Sequence, residues 1–522
     1  MPEYLSPGVY IQEVDSGPRP IEGVGTACAA FVGFAPAGPA NYPALITNWS
    51  QYVETFGSVE EGGRRNPHLP GAFMSHAIYG FFLNGGGRCY VTRIVPASSN
   101  GKVDGAIKIE PLQLPSQSSK AMPSLTVGAK GTPMQDIEVD VLPPTGETPA
   151  DGTFTLRVRM GSAEPELFEN VSLAKRGGKY VVDTVNQTSQ RVTLVEEQGT
   201  GTIVERMPEL GTYVLKAQQT ALVPTVQPAS FTGDVSDRSG MEGLEIFEDV
   251  TMVCCPDLMG AYQSGAIDRD GVKAVQLSMI AHCERMGDRM AILDPLPGLS
   301  PQEAKAWRER ETNYDSKYAV LYYPWIKVAG PDGHPMAVPP SGHMAGIWAR
   351  NDNERGVHKA PANEVVTGAL EAATPITKGE QDTLNPIGVN CIRSFTGRGL
   401  RVWGARTLSS DPAWRYVNVR RLFNYVEKSI EAGTQWVVFE PNDPDLWARV
   451  RRDVGAFLTG AWRDGMLFGL TPSEAFFVKC DEELNPPDVR DRGQLVIDVG
   501  LAPVKPAEFV IFRFRQFSGG GA

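Results

Sequence analysis

The sequence predicts a mixed α/β (α+β) protein that carries an inserted all-β module and an extended β-strand arm at each terminus. Three observations lead there. From Thr26 to Val95, and again from Leu244, short apolar runs alternate with capped helical stretches, the pattern of a layered and mostly parallel α/β core. Residues 97–236 between them are polar, rich in Thr, Ser, Gly and Pro, and broken into short alternating runs. The last stretch, Glu508 to Phe517 (EFVIFRFRQF), alternates strictly: Val510, Phe512 and Phe514 point one way, and Phe509, Ile511, Arg513 and Arg515 the other.

At 522 residues the chain is long for one core, and roughly two to four domains are expected. A composition of 42% hydrophobic and 21% charged residues is that of a soluble globular protein. The net charge of −12, with no basic stripe, argues against nucleic acid as a partner. The opening Met1-Pro-Glu-Tyr-Leu lacks a basic start before an apolar core, so no signal peptide is expected. No apolar run reaches the length of a membrane span, so no direct membrane insertion is expected either. The seven cysteines are scattered without a CxxC pair and read as reduced, buried thiols of a cytoplasmic protein.

Taken in order, Ser6-Pro7-Gly8 is a turn signal before the short β-rich run Val9-Tyr10-Ile11-Gln12-Glu13-Val14, which Pro18 and Pro20 set apart from the body. Thr26–Phe34 reads as a buried strand. Residues 46–57 read as a helix with Asn48 as N-cap, Gln51 three residues on and Gly57 as the stop. Residues 72–83 form a second helix and 88–95 a strand. In the polar stretch, 154–159, 180–183, 191–195 and 213–216 read as strands. The core resumes with a strand at 250–255, a helix at 270–283 capped by Asp270 and a strand at 290–293. A capping box follows, with Ser300 as N-cap, Pro301 at N1 and Glu303 at N3, and then a strand at 319–323. Residues 335–386 read as loop-rich. Residues 392–395 and 400–404 form a hairpin, 419–431 is an amphipathic helix, 436–439 a strand, 443–464 a long helix, and 495–499 and 509–517 the closing strands. The resulting division is an N-terminal arm (1–20), core (21–96), insert (97–236), core (237–390), C-terminal α/β domain (391–502) and C-terminal arm (503–522).

No catalytic constellation emerges. The six histidines lack HxH or HxxxH spacing, and His334, His343 and His358 read as solvated loop residues. Asn84-Gly85-Gly86-Gly87 lacks the GxxxxGK[ST] of a phosphate loop and reads as a helix stop. Asp257, Asp268 and Asp270 could suggest a carboxylate site at strand ends, but Asp270 reads better as a helix cap and Asp257 as a turn. The cations Arg415, Arg420, Arg421 and Lys428 could hold phosphate; beside Glu440, Asp443 and Asp445 they read better as a charged face that meets an oppositely charged one. Neither a cofactor nor a metal is expected. The terminal runs remain as the candidate functional residues: Val9, Tyr10, Ile11 and Val14, with Phe509, Ile511, Phe512 and Phe514. A long aromatic strand at a free end either closes its own sheet or pairs with a neighbour.

Several stretches together resemble the sheath proteins of contractile phage tails and related contractile injection systems. They are Tyr4 to Val14, Gly33-Phe34-Ala35, Ile46 to Tyr52 with Phe56-Gly57, and Phe81 to Gly87 followed by Cys89 to Arg93. In the C-terminal half they are Pro339 to Gly346, Val357 to Asn363, Asn390 to Ala405, Tyr416 to Arg421 and Phe439 to Asn442. Each motif alone is weak; their order along most of the chain is specific. Residues 97–236 carry no resemblance, as suits a family with variable surface insertions. The resemblance implies a non-enzymatic subunit that polymerises as stacked sixfold rings around an inner tube and shortens to drive that tube through a target envelope. Its implied partners are other copies of itself, the inner tube protein, and baseplate and tail terminator or cap proteins. Its implied location is a phage virion, or an assembled tail-like particle in the bacterial cytoplasm. The competing class is an α/β enzyme or ligand-binding protein with an accessory β module, for which a pocket lined by His343, Asp352 and His358 would speak.

Overall fold

The structure, a computed structural model, describes residues 20–59, 64–95, 111–118, 122–130, 137–146, 150–160, 165–175, 179–189, 191–197, 202–215, 226–331 and 333–513. The chain divides into two compact units, one of residues 1–103 with 223–522 and one of residues 104–222.

The larger unit is built on an eight-stranded mixed sheet. Its strands are β1 (Cys28–Gly33), β2 (Ala44–Ile46), β3 (Arg88–Arg93), β4 (Met252–Cys254), β5 (Met290–Leu293), β6 (Ala319–Tyr323), β7 (Val389–Phe395) and β8 (Gly399–Trp403). The spatial order is β2-β3-β1-β4-β5-β6-β7-β8. From β3 to β7 all neighbours are parallel, and β2 and β8 close the two edges antiparallel. β1, β4, β5 and β6 are buried at every position, which is why they read as continuous apolar runs rather than alternating ones.

Helix ends follow local chemistry. In α1 (Trp49–Phe56) the Asn48 side chain accepts from the Gln51 amide at 2.9 Å. The capping box at Ser300 and Glu303 forms as expected. α3 (Arg269–Met286) is capped by Asp268, not Asp270, because the Asp268 side chain reaches the Gly271 amide at 2.8 Å while Asp270 sits inside the first turn. Two other helices borrow caps from the sheet. Asp257, just past β4, accepts from the Phe34 amide at 2.5 Å, from the Met74 amide at 3.0 Å and from the Phe73 amide, at the start of α2 (Met74–Leu83). Asp294, just past β5, accepts from the Ser341 amide at 2.8 Å and its hydroxyl at 2.6 Å, at the start of α4 (Ser341–Arg355). Burial pushes both carboxyls up to about 7, against the pull of these donors.

α4 overturns the expectation that 335–386 is loop. Pro339-Pro340 and Asn351-Asp352-Asn353 give the loop reading, yet Gly342 and Gly346 between them are the positions where α4 meets α2: a Cβ on Gly342 would overlap the Ala77 backbone, and one on Gly346 the backbone of Phe81. The helix is buried along most of its length, so it shows no clear polar face for the sequence to reveal.

Beyond β8, α5 (Val417–Gly433) and α6 (Pro444–Arg463) form a second core around Leu422, Val426, Leu446, Val450, Val454 and Leu458, and Ile21 inserts into it. The expected strand at 436–439 is instead a short 3₁₀ turn at Gln435–Val437, since the chain must reverse there between two helices. Phe476–Lys479 pairs antiparallel with Asp498–Leu501, which replaces the expected strand at 495–499.

The smaller unit holds two antiparallel sheets. One orders Glu166–Ser172, Thr153–Met160, Ile137–Leu142 and Gly211–Leu215; the other orders Val192–Glu196, Pro123–Ala129 and Leu112–Pro115. They share a core with Phe154, Leu156, Val158 and Val192. The expected strand at 180–183 is the start of a helix, Val181–Thr188, because Val181 and Val185 bury one face at a spacing of four.

Candidate subunit interface

The C-terminal segment is tied to the body up to one residue and exposed beyond it. The Ala502 amide donates to the Ala475 carbonyl and the Phe468 amide to the Ala502 carbonyl, both at 2.8 Å. The Asn418 side chain donates to the Val504 carbonyl at 3.2 Å. Glu508 then turns its carboxylate inward. Oε1 accepts from Arg406 Nε at 2.9 Å and Asn385 Nδ2 at 2.8 Å; Oε2 accepts from Arg406 Nη2 at 2.7 Å and the Tyr416 hydroxyl at 2.9 Å. Burial opposes ionisation of Glu508, but the bonds from Arg406, Asn385 and Tyr416 outweigh it and hold the carboxyl below its usual range. Immediately after, Phe509, Val510, Ile511 and Phe512 are 71%, 69%, 78% and 76% exposed. Residues 509–513 lie in no sheet among the described residues. Phe514 and the N-terminal run Val9, Tyr10, Ile11 and Val14 lie outside the described residues.

More apolar surface stands open on the same C-terminal domain: Phe468, Leu470 and Phe477 are exposed. Phe439 is fully exposed, at 103%, with a left-handed φ of +68°.

The candidate charges do not gather on one face. Arg420 is buried over the rings of Trp414 and Tyr318 and bonds Asn424 at 2.7 Å and Glu427 at 2.9 Å. Arg421 donates to both oxygens of Asp352, at 2.8 and 2.5 Å, where the two side chains are only 4% and 3% exposed. Asp443 caps α6 through the Leu446 amide at 2.8 Å. Lys428 lies 3.2 Å from Glu431, with Glu248 and Asp288 farther off. Glu440 is exposed and meets Arg449 at 3.3 Å; Arg415 is exposed.

The residues that an enzyme would have used are engaged within the fold. Asp352 is committed to Arg421 and to the Thr26 hydroxyl at 2.6 Å. His343 is no solvated loop residue: it is 2% exposed inside α4, facing Gly80 of α2, and burial pulls its pKa down to about 4. His358 lies beside Gly356. A cavity of about 320 Å³ opens beside α5, but none of the three lines it. Among the described residues no group of three His, Cys, Asp or Glu could hold a metal ion, and no helix is long and apolar enough to cross a membrane. The cysteines are free and buried.

A body whose polar interior serves internal contacts, with apolar side chains held outside at its C-terminal end, is the build of a structural subunit. Residues 241–408 match the family described as phage tail sheath protein central domain, and residues 409–517 match the phage tail sheath C-terminal domain. The chain is 24% identical to the tail sheath protein of Burkholderia phage BcepMu, over 96% of this chain and 94% of that protein. It is 30% identical over 181 residues to the tail sheath protein of Vibrio phage KVP40, a match that takes in 34% of this chain and 26% of that one. Among solved structures, the helical sheath of the anti-feeding prophage in its contracted state aligns with a TM-score of 0.57 at 25% identity, over 98% of this chain and 99% of that one. The chain belongs to the phage tail sheath protein family. It is a contractile tail sheath subunit, a structural protein and not an enzyme.

The motif order carried this recognition. What sequence reading missed is Glu508 as an internal anchor; the one signal for it was a lone carboxylate between Pro506 and the aromatic run.

Proposed function

We propose that the chain polymerises with itself into stacked sixfold rings around an inner tube, and that the lattice shortens to drive this tube through a target envelope. Baseplate and terminator or cap proteins bound the two ends, and the particle is either a phage virion or a tail-like particle assembled in the bacterial cytoplasm. The observation that carries the reading is the C-terminal arm. Four consecutive apolar residues in a strand pattern stand exposed directly after a pinned root. Burial of one Phe is worth roughly 1.5–3 kcal/mol, so a few anchors in a neighbour hold firmly. The two-stranded sheet of Phe476–Lys479 and Asp498–Leu501 has no third strand among the described residues and offers an edge to an added strand. In this reading Phe509, Ile511, Phe512 and Phe514 dock on a neighbour. Val9, Tyr10, Ile11 and Val14 do so from the other end. Arg415 and Glu440 supply outward charge for contacts between bodies. A neighbouring fold, the anti-feeding prophage baseplate, was solved with sixfold symmetry applied, at a TM-score of 0.55 and 25% identity, which supports ring assembly here. Residues 97–236 face outward and are dispensable for assembly.

Electron microscopy of the purified chain tests the reading: tubes or rings are expected. Ile511→Pro removes a backbone donor from the arm and should give a folded protein that no longer forms tubes. Replacement of 97–236 by a Gly/Ser linker should still give tubes. A dispersed monomer from the unaltered chain would overturn the assignment of self-assembly.

A further inference from the structure

We infer that Glu508 is the anchor that fixes the root of the C-terminal arm to its own body, so that the segment exchanged with a neighbour begins at Phe509. The inference rests on the arm reading above and adds the point at which load from a neighbour enters the fold.

The geometry supports an anchor in three ways. First, the four donors come from three separate pieces of chain: Asn385 in a short 3₁₀ turn, Arg406 beyond β8, and Tyr416 at the start of α5. A carboxylate that reads three elements at once fixes direction as well as position. Arg406 binds it through Nε and Nη2, one to each oxygen, the forked arrangement that restricts rotation.

Second, the anchor is itself tied to the frame. The Arg406 amide donates to Asn390 Oδ1 at 2.7 Å, and Asn390 Nδ2 donates to the Arg406 carbonyl at 2.8 Å. Asn390 lies in β7 and reaches the Leu321 carbonyl of β6 at 3.2 Å. A pull on the arm therefore passes from Glu508 through Arg406 to two parallel strands of the main sheet.

Third, the change in environment is abrupt. Residues 502–508 bond to the body, while the four after them are largely exposed. An arm with a loose root would sample many directions and lose more conformational entropy on docking. A fixed root removes part of that loss before assembly begins.

The test uses the full chain with Glu508→Gln, beside a chain that ends at Glu508. Gln keeps the size, loses the charge and points an amide donor at guanidinium donors. The truncated chain is expected to form no tubes. Glu508→Gln is expected to melt like the parent, to exchange amide hydrogens at 502–508 at least tenfold faster, and to need at least fivefold more protein to form tubes. Normal tubes from the truncated chain would overturn the arm reading and this inference with it. A truncated chain that fails, beside a Glu508→Gln chain that matches the parent in exchange and assembly, would overturn the anchor alone. If Glu508→Gln does not fold, Tyr416→Phe decides, since it removes one donor: unchanged exchange at 502–508 overturns the anchor, and faster exchange supports it.

Discussion

Replacing Gly342 by Ala sets two effects of opposite sign against each other. In the interior of an isolated helix Ala is favoured over Gly by about 1 kcal/mol, which is an upper bound for Gly342 in the first turn of α4. In α4 the added Cβ would stand 2.6 Å from the Ala77 carbonyl carbon, with the Ala77 oxygen and Cα closer still. Carbon atoms pack best at about 3.5–4.0 Å, so the backbones of α2 and α4 would have to part by roughly 1 Å. The obstacle is backbone, which cannot swing aside as a side chain would. α2 is held at its start by Asp257, and Met344, Ile347 and Trp348 on α4 are fully buried. Overpacking of this kind costs about 1–3 kcal/mol, and the upper end applies where two helices must shift together. The expected outcome is a net loss of about 2 kcal/mol after the helix-propensity gain. Gly455→Ala in α6 is the control, because a Cβ there meets nothing within 4 Å. It should gain up to about 1 kcal/mol. Urea unfolding of the unassembled protein, followed by tryptophan fluorescence, should shift the two midpoints in opposite directions. A Gly342→Ala midpoint at or above the parent's would refute the steric account of this crossing.

Three further outcomes follow from buried groups and strain. Burial holds the His343 pKa near about 4, well below the ordinary value, so the unfolded chain takes up this proton first. Its contribution to stability is complete above pH ~6.5 and is lost as pH falls toward 4; the advantage of His343→Gln over the parent should grow across that window by on the order of 3 kcal/mol in urea midpoints, and a pH-independent difference would exclude a neutral buried His343. Arg421→Met strands the Asp352 carboxylate and should cost about 3–5 kcal/mol, most of it recovered in the double variant with Asp352→Leu, as a thermodynamic cycle would show. Phe439→Gly should stabilise the unassembled chain by about 1 kcal/mol by releasing a left-handed residue that contacts solvent, and an unchanged or lower midpoint would show the turn to be unstrained.

How much of this was legible depended on whether a segment declares its environment locally. β1, β4, β5 and β6 did, because both of their faces are buried and they read as continuous apolar runs. α1 and the capping box at Ser300 did, because an N-cap contacts residues three places away. α4 did not. Its Gly342 and Gly346 serve a helix 260 or more residues away in sequence, and its Asp352 serves Arg421. Read locally, the same residues spell a loop. Asp257 and Asp294 failed to declare themselves for a related reason: each caps a helix that lies far from it in the chain, 183 and 47 residues away. The candidate charges showed the converse. Arg420 and Arg421 have the composition of a charged face, but aromatic rings and Asp352 take them into the interior. Glu508 was read only as the first letter of a strand; its partners at 385, 406 and 416 lie beyond any local pattern.

The buried polar groups share one property that bears on a lattice with two states. Each ties one piece of chain to the main sheet or to a helix upon it: Asp257 ties α2, Asp294 ties α4, the Asp352–Arg421 pair joins α4 to α5, and Glu508 ties the arm through Arg406 and Asn390 to β7. Well-packed interiors barely deform, and a group left unpaired inside costs more than a shifted surface contact. A load too small to break these ties therefore leaves the body unchanged and is relieved elsewhere. In the assembly proposed above, the softest places are contacts between bodies through exposed charge such as Arg415 and Glu440, where a pair is worth about 0–1 kcal/mol. Arms docked as proposed would differ from these contacts in kind, because a docked strand is lost only by breaking a ladder of backbone bonds and exposing its anchors together. On that proposal the subunit would change its neighbours' positions before its own shape, and keep its neighbours while doing so.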